Sequence, residues 1–325
     1  MVPSMSFPRS YFARRLWGAL LTLLGVAVGV FIVLRLVPGD AISASMGTET
    51  AILTPLQRQA LEDYYGIGQP LVQQFGSWLG NVVRGNLGVS TQSGEAVTTL
   101  IARSLPVTLE LAVLSTFIGT TVGVGLGVFS AARPDRLRSA TGQVFSLLSL
   151  ITPSFVLATA FVTIFAARFA YMPNAAAFVG LFDDPWLNLQ QMLFPALTLG
   201  FALSGTVIRT TRSAYLEASE QEFVRFARSK GVSERRVKWR HVLPNALIPI
   251  VTITGIQFGY LLGGTVVVEQ VFSLPGLGRL VLTGINQREY ALVQSTVLVI
   301  AVGFVLVNLF VDLLYARIDP RVTLR

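Results

Sequence analysis

The chain contains no cysteine. Disulfides and thiolate metal sites are excluded, and the sequence carries no mark of its redox compartment. It has one histidine, His241, which cannot build a metal centre alone and has no carboxylate cluster beside it. Charge is scarce as well: 13% of residues are Asp, Glu, Lys or Arg, against about 25% in a soluble domain. No Gly-x-x-x-x-Gly-Lys-Ser/Thr loop occurs, no Gly-x-Ser-x-Gly elbow and no His-Glu-x-x-His pair. The chain thus offers no phosphate cradle, no hydrolase nucleophile and no metalloprotease site. These absences argue against an enzyme, and any ATP that drives it must be bound by another subunit.

What is present is apolar. Hydrophobic residues make up 52% of the 325, and mean hydropathy is +0.63. That places the chain in a bilayer. The net charge of +8 raises nucleic acid as a partner, but the basic residues are grouped beside apolar spans rather than on a soluble face, so no nucleic acid is expected. Leu16–Val37 exceeds a signal-peptide core and is long enough for the ~30 Å hydrocarbon layer at ~1.5 Å per residue. It reads as a retained helix, with cleavage around Ala41–Ser45 as the alternative. Five more spans follow, at Leu105–Ala131, Ala140–Ala170, Gln191–Val207, Ala246–Val268 and Ala291–Tyr315. The expected fold is an all-α polytopic membrane protein with six transmembrane helices. Residues 1–104 form a first helix plus an extracytoplasmic segment, and residues 105–325 a transmembrane core.

Most of the 25 lysines and arginines fall in four places: the first fifteen residues, the hairpin 132–139, the segment 209–243 and the tail. Six spans put all four on one side, which the positive-inside rule makes cytoplasmic. Both termini are then cytoplasmic. Pro38–Ser104 lies outside. Within it Leu71–Val83 has Phe75, Trp78 and Leu79 at helical spacing. It reads as an amphipathic helix on the membrane or on its own bundle, or else as a platform for an external partner. Gly119 and Gly123, then Gly255, Gly259 and Gly263, recur every four residues and permit close helix packing, within the bundle or against a second subunit. Glu110, Asp312, Arg35 and Arg168 are the ionisable residues in or near spans, and each reads as structural. His241 reads as a helix C-terminal cation.

One polar island, Tyr215–Asn245, stands apart in its charge density. It reads as helix–turn–helix, with Ala214–Lys230 the first helix and Ser233–Val242 the second. Gly231 supplies a left-handed stop, and Ser233 a side-chain cap with Glu234 beside it. Phe223, Phe226 and Ala227 share one bulky face, with Arg225, Arg228 and Lys230 elsewhere. This is a docking surface in water on a membrane domain.

At this island the sequence resembles the EAA loop of ABC-transporter permeases. Ala227, Gly231 and Leu243–Pro244 match the pattern, while Arg225–Phe226 replaces the first two letters. Other stretches are similar to the dipeptide/oligopeptide/nickel permease family: Arg35-Leu-Val-Pro-Gly-Asp40, Gln69-Pro-Leu, Gly85-Asn-Leu-Gly88 and Leu105-Pro-Val-Thr-Leu109. So are Ala227-Arg-Ser-Lys-Gly231, Asn245-Ala-Leu-Ile-Pro249, Glu269-Gln-Val-Phe-Ser-Leu-Pro-Gly-Leu-Gly-Arg279, Arg288-Glu-Tyr290 and Asp312-Leu-Leu-Tyr315. They run in family order from about residue 12 to the end. The long segment after the first span is similar to the B-type subunit.

The resemblance implies a type I ABC importer permease fold in a bacterial inner membrane, importing a di- or oligopeptide or, alternatively, nickel or another small solute. A self-sufficient carrier or channel is the remaining reading. The implied partners are a second permease, two ATP-binding subunits or one fused ATPase, an extracytoplasmic solute-binding protein and membrane lipid. No cofactor is expected in this chain, and ATP and Mg belong to the ATPases. The island at 215–244 corresponds to the coupling helix, so Phe223, Arg225, Phe226, Ala227, Arg228, Gly231 and Arg235 are its expected contacts. Attraction of these cations to anionic lipid is the competing reading. Glu269, Phe272, Pro275 and Gly276 lie in an expected extracytoplasmic gate or docking edge, or in a plain loop. Substrate contacts are not assigned.

Overall fold

The structure, a computed structural model, describes residues 9–36, 54, 69–132, 136–169 and 178–318. The Pro38-Gly-Asp40 end of the first motif, the Ala41–Ser45 alternative, most of the segment before Gln69 and the centre of the hairpin at 133–135 lie outside the described residues. So do residues 170–177 and the tail from 319. Among the described residues the regular structure is helical, apart from one bridge between Val89 and Ala96.

Helix α1 is Arg9–Leu36, α2 Leu71–Val83, α3 Val97–Ala131, α4 Arg136–Ile151, α5 Ser154–Phe169 and α6 Pro185–Glu220. A short α7, Glu222–Ser229, follows. Then come α8, Glu234–Gly264, α9, Val266–Val271, α10, Leu277–Asn286, and α11, Tyr290–Ile318. Among the described residues the helices α1, α3, α6, α8 and α11 are each long and apolar enough to cross a membrane, and the bent pair α4–α5 brings the count to six when taken as one broken span. The stretch read as a span over Ala140–Ala170 is therefore not one helix: the pair turns by 93° at Thr152–Pro153. Proline alone does not explain the corner, since Pro106, Pro195 and Pro249 sit inside unbroken helices.

The chain forms two compact units. The first takes the described residues up to Thr108 together with Pro275–Val305. In it α2 lies on α1 through an aromatic cluster, with Phe31 edge-on to Phe75 at 5.2 Å and near Trp78 at 6.0 Å. Arg35 stacks its guanidinium 3.4 Å from the Phe31 ring centre and donates Nε to Gln74 Oε1 at 3.1 Å. This favours the own-bundle reading of α2 for that face. Val97, Ile101, Leu277 and Leu292 form the core of the unit. Glu289, 3% exposed, clamps the turn before α3: its Oε1 accepts from Ser90 Oγ at 2.8 Å and from the Gln92 amide at 2.9 Å.

The second unit takes Leu109–Leu274 and the chain from Leu306. Gly119, Gly123, Gly127 and Gly255 serve packing within the bundle. A Cβ on Gly119 would stand 2.7 Å from the Gly200 carbonyl, and one on Gly127 2.5 Å from Thr211 Cβ. Hence α3 and α6 approach backbone to backbone, and Gly255 likewise meets Val311. Helix α4 joins α6 by hydroxyls: Ser146 Oγ donates to the Gly205 carbonyl at 2.9 Å, and the Gly205 amide donates to Ser149 Oγ at 3.0 Å.

Candidate functional site

The polar island is carried by helices too long for the bilayer. Helix α6 has 36 residues, about 54 Å at ~1.5 Å per residue against a ~30 Å hydrocarbon layer. The surplus follows Arg209 and Arg212, so the end of α6 projects into water. Here the structure corrects the sequence reading of one helix from Ala214 to Lys230. The spanning helix runs on to Glu220, and Gln221 breaks it with an extended backbone, φ −65°, ψ 151°. Helix α7 then starts with Glu222 beside its positive end.

A helix of 8 residues is not stable alone in water. Packing and a locked end hold this one. Val224 and Ala227 point inward, 0% and 7% exposed, onto Tyr215, Ala218, Val237 and Val242. Gly231 stops the helix at φ +74°. Its amide donates to the Arg228 carbonyl at 2.9 Å, and the Val232 amide to the Ala227 carbonyl at 3.2 Å. That is the Schellman pattern, in which a left-handed residue satisfies the orphan carbonyls of the last turn. Space around Gly231 is open, so only its backbone, not crowding, disfavours a side chain there.

The expected second helix is not separate either. Glu234 begins α8, which continues through the bilayer to Gly264. Ser233 stands at its start with ψ 142°, but its side chain makes no capping bond. His241 therefore lies within a continuous helix, not at a C-terminus, and the dipole role read for it does not apply. Residues Val237–Val242 form a π-helical stretch. Residues five apart on an α-helix point ~140° apart. The wider π turn brings Val237 and Val242, 0% and 1% exposed, to the same core.

The outward face differs from the expected one. Phe223, Phe226 and Ala227 do not form one surface. Ala227 packs inward, while Phe223 and Phe226 are exposed, Phe226 at 61%. Trp239, at 63%, is a third exposed aromatic; its sequence signal is a tryptophan inside a basic run. Arg225 and Arg235 are exposed. Arg228 is spoken for: its Nε donates to Glu234 Oε1 at 2.9 Å and bridges the turn. Lys230 Nζ lies 4.4 Å from the Phe226 ring centre. Two further cations, one in the island and one just before it, reach neighbouring helix ends. Lys238 Nζ donates to the Ala132 carbonyl just past α3 at 2.9 Å, and Arg212 to Ser139 Oγ on α4 at 3.1 Å.

The second expected site is split between interior and surface. Glu269 and Phe272 are both 0% exposed, so neither is a docking contact. Glu269 Oε1 accepts from Thr265 Oγ1 at 2.8 Å. Ser273 takes the left-handed conformation, φ +55°, and the Leu274 amide donates to the Glu269 carbonyl at 2.8 Å. In the first unit Pro275 is exposed, while Gly276 is buried with an extended backbone. The polar connection read over Glu269–Tyr290 is thus mostly two short helices closed by tight turns.

Comparison with known proteins agrees with this architecture. Residues 9–112 match the N-terminal membrane component of binding-protein-dependent transport systems, and residues 123–324 match their inner membrane component. The chain is 38% identical over 318 residues to the glutathione transport system permease protein GsiC of Pectobacterium atrosepticum, covering 96% of this chain and 98% of that protein. The protein of the same name from Escherichia coli K12 is 36% identical over 314 residues, again 96% and 98%. Among solved structures, the MetNI methionine ABC transporter in an inward-facing conformation superposes with TM-score 0.54 at 16% identity, covering 68% of this chain and 96% of that one. An amino acid ABC transporter with histidines gives 0.51 at 17%, covering 69% and 95%. These two show the type I importer fold alone. With the family matched along nearly the whole chain, this protein belongs to the inner-membrane permease components of binding-protein-dependent transport systems and is a permease subunit of an ABC importer.

Proposed function

We propose that residues 222–242 are the lever through which an ATPase drives this permease, and that the solute is of the peptide class. The observation that carries the first part is the exposed aromatic pair Phe223 and Phe226 on a short helix locked at Gly231 and seated on Val224 and Ala227. Withdrawing such side chains from water on docking contributes about 1.5–3 kcal/mol each. Arg225 and Arg235 flank them and suit acidic groups on a partner. Because α7 rests on the ends of α6 and α8, a push on it moves two spans together. ATP and Mg bind the partner subunits, either two ATPases or one fused. A second permease completes the path, and a solute-binding protein delivers cargo to the outer side. The grouping of basic residues supports a cytoplasmic lever and cytoplasmic termini.

The peptide class is supported by the family motifs together with the glutathione permeases that this chain matches along its length. Nickel and other small solutes are the competing cargo. The lever is tested in the assembled complex with Gly231→Pro and Phe226→Asp. Each should lower the ATPase stimulation by loaded binding protein by about tenfold or more, with assembly intact by size-exclusion chromatography. Undiminished stimulation in both would end the lever assignment. Uptake of labelled glutathione and short peptides, set against nickel, tests the cargo.

A further inference from the structure

The turn that enters α6 holds a polar cluster that the coupling mechanism leaves unused. Asn188 is 1% exposed. Its Nδ2 donates to the Val179 carbonyl at 3.1 Å and to Glu110 Oε2, on α3, at 3.2 Å. A backbone carbonyl only accepts, so Val179 fixes which end of the amide is nitrogen. Two atoms of this same contact then have neither solvent nor a hydrogen-bond partner: Asn188 Oδ1 and Glu110 Oε1. With an ionised Glu110 both are acceptors, and two buried acceptors in one contact have nothing to share.

The charged groups around the pair do not resolve this. Asp184 Oδ1 accepts from the Trp186 and Leu187 amides, and Asp183 adds a second carboxylate to the same turn. Residues 178–208 contain no Lys, Arg or His. On α3, Arg103 is paired with Glu95 at 2.9 Å. Helix α5 meets α6 through Phe161, Phe165 and Phe194, and its Arg168 is exposed. No ion pair reaches Glu110 among the described residues.

We propose that Glu110 is a proton-holding site, its neutral carboxyl closing a cyclic acid–amide pair with Asn188 between α3 and α6. Glu110 Oε1–H donates to Asn188 Oδ1 while Oε2 accepts from Asn188 Nδ2. One proton, taken from water, gives both orphaned atoms a partner and removes a full charge from a membrane span. Loss of that proton sets two acceptors against each other and opens the contact. The pair is a latch on the α3–α6 seam that holds only while protonated.

The test uses the assembled transporter in lipid nanodiscs. At neutral pH the infrared spectrum should show the C=O stretch of a protonated carboxyl that E110Q lacks and N188L shifts. E110Q keeps the cyclic pattern, because its amide nitrogen donates to Asn188 Oδ1 and its oxygen accepts from Nδ2. Its uptake should stay within about twofold of the parent, whereas E110A should lower the folded-to-unfolded ratio by about tenfold. Thermal stability of the parent should fall as pH is raised, and that of E110Q should stay flat across the same range. The proposal is overturned if the parent shows no protonated-carboxyl band. It is equally overturned if E110Q is as damaging as E110A, which would mean that a carboxylate holds a cation there.

Discussion

Two polar connections of this chain look alike in sequence and point in opposite directions in space. The island turns Phe223, Phe226, Trp239 and most of its cations outward, and from Gln221 to Leu243 it buries Val224, Ala227, Val237 and Val242. The connection after α8 turns its acids inward: Glu269 and Glu289 are 0% and 3% exposed. Both end short helices with left-handed residues, yet the island uses Gly231, while the other uses Ser273 at φ +55° and Arg288 at φ +56°. Outward charge on a glycine-stopped helix makes a surface for a partner. Inward charge on strained, non-glycine stops makes a clamp that fixes the fold. Charge density alone does not separate the two roles; the direction of the side chains does.

The sharpest way to break the comparison is at residues two apart on α7. Val224→Asp should destabilise the complex by about 4 kcal/mol, because it buries a carboxylate without a partner. Phe226→Asp should change thermal stability by less than about 0.5 kcal/mol while abolishing coupling. Equal losses of stability would show that α7 has no outer face. Next, Glu289→Ala strands the Ser90 hydroxyl and the Gln92 amide, and should cost about 3 kcal/mol in denaturant or thermal unfolding. Alanine at the outward Arg225 and Arg235 should leave the unfolding midpoint unchanged.

The helix stops sharpen it further. Gly231→Val should cost about 1–2 kcal/mol through the left-handed backbone, whereas Ser273→Gly should stabilise by about 0.5 kcal/mol, read from the melting temperatures of the two variants. Opposite signs at two equivalent turns are the expected signature. The smallest effect belongs to Arg228→Ala. Its exposed bridge to Glu234 should contribute only about 0.3–0.5 kcal/mol, and added salt should remove it.

The span count was legible because apolar length is a direct demand of the bilayer. Gly231 was legible because few residues accept a left-handed stop. The four-residue glycine spacing announced close packing, but its partner became visible only with Gly200, Ser204 and Thr211 facing it. The break at Gln221 had no signal at all, being neither glycine nor proline. The corner at Pro153 carried a signal that three other prolines share without effect. The π stretch was hidden because Val237 and Val242, five apart, fit no α-helical face. The inward burial of Ala227 was missed because spacing groups residues by side and does not say which side meets the core. Glu110 was visible as a span carboxylate, but Asn188 belonged to an ordinary polar turn until the fold joined them.

The seam between α3 and α6 also says where this permease can be watched. Gly123 and Gly127 leave no room for even one added carbon, but Gly125, between them in sequence, is exposed with nothing within 4 Å. The chain carries no native thiol. Gly125→Cys would therefore create a unique attachment point for a spin label or fluorophore, riding on the back of this close-packed helix pair without prying it apart. Distances from that beacon would report how the α3–α6 plank travels through a transport cycle.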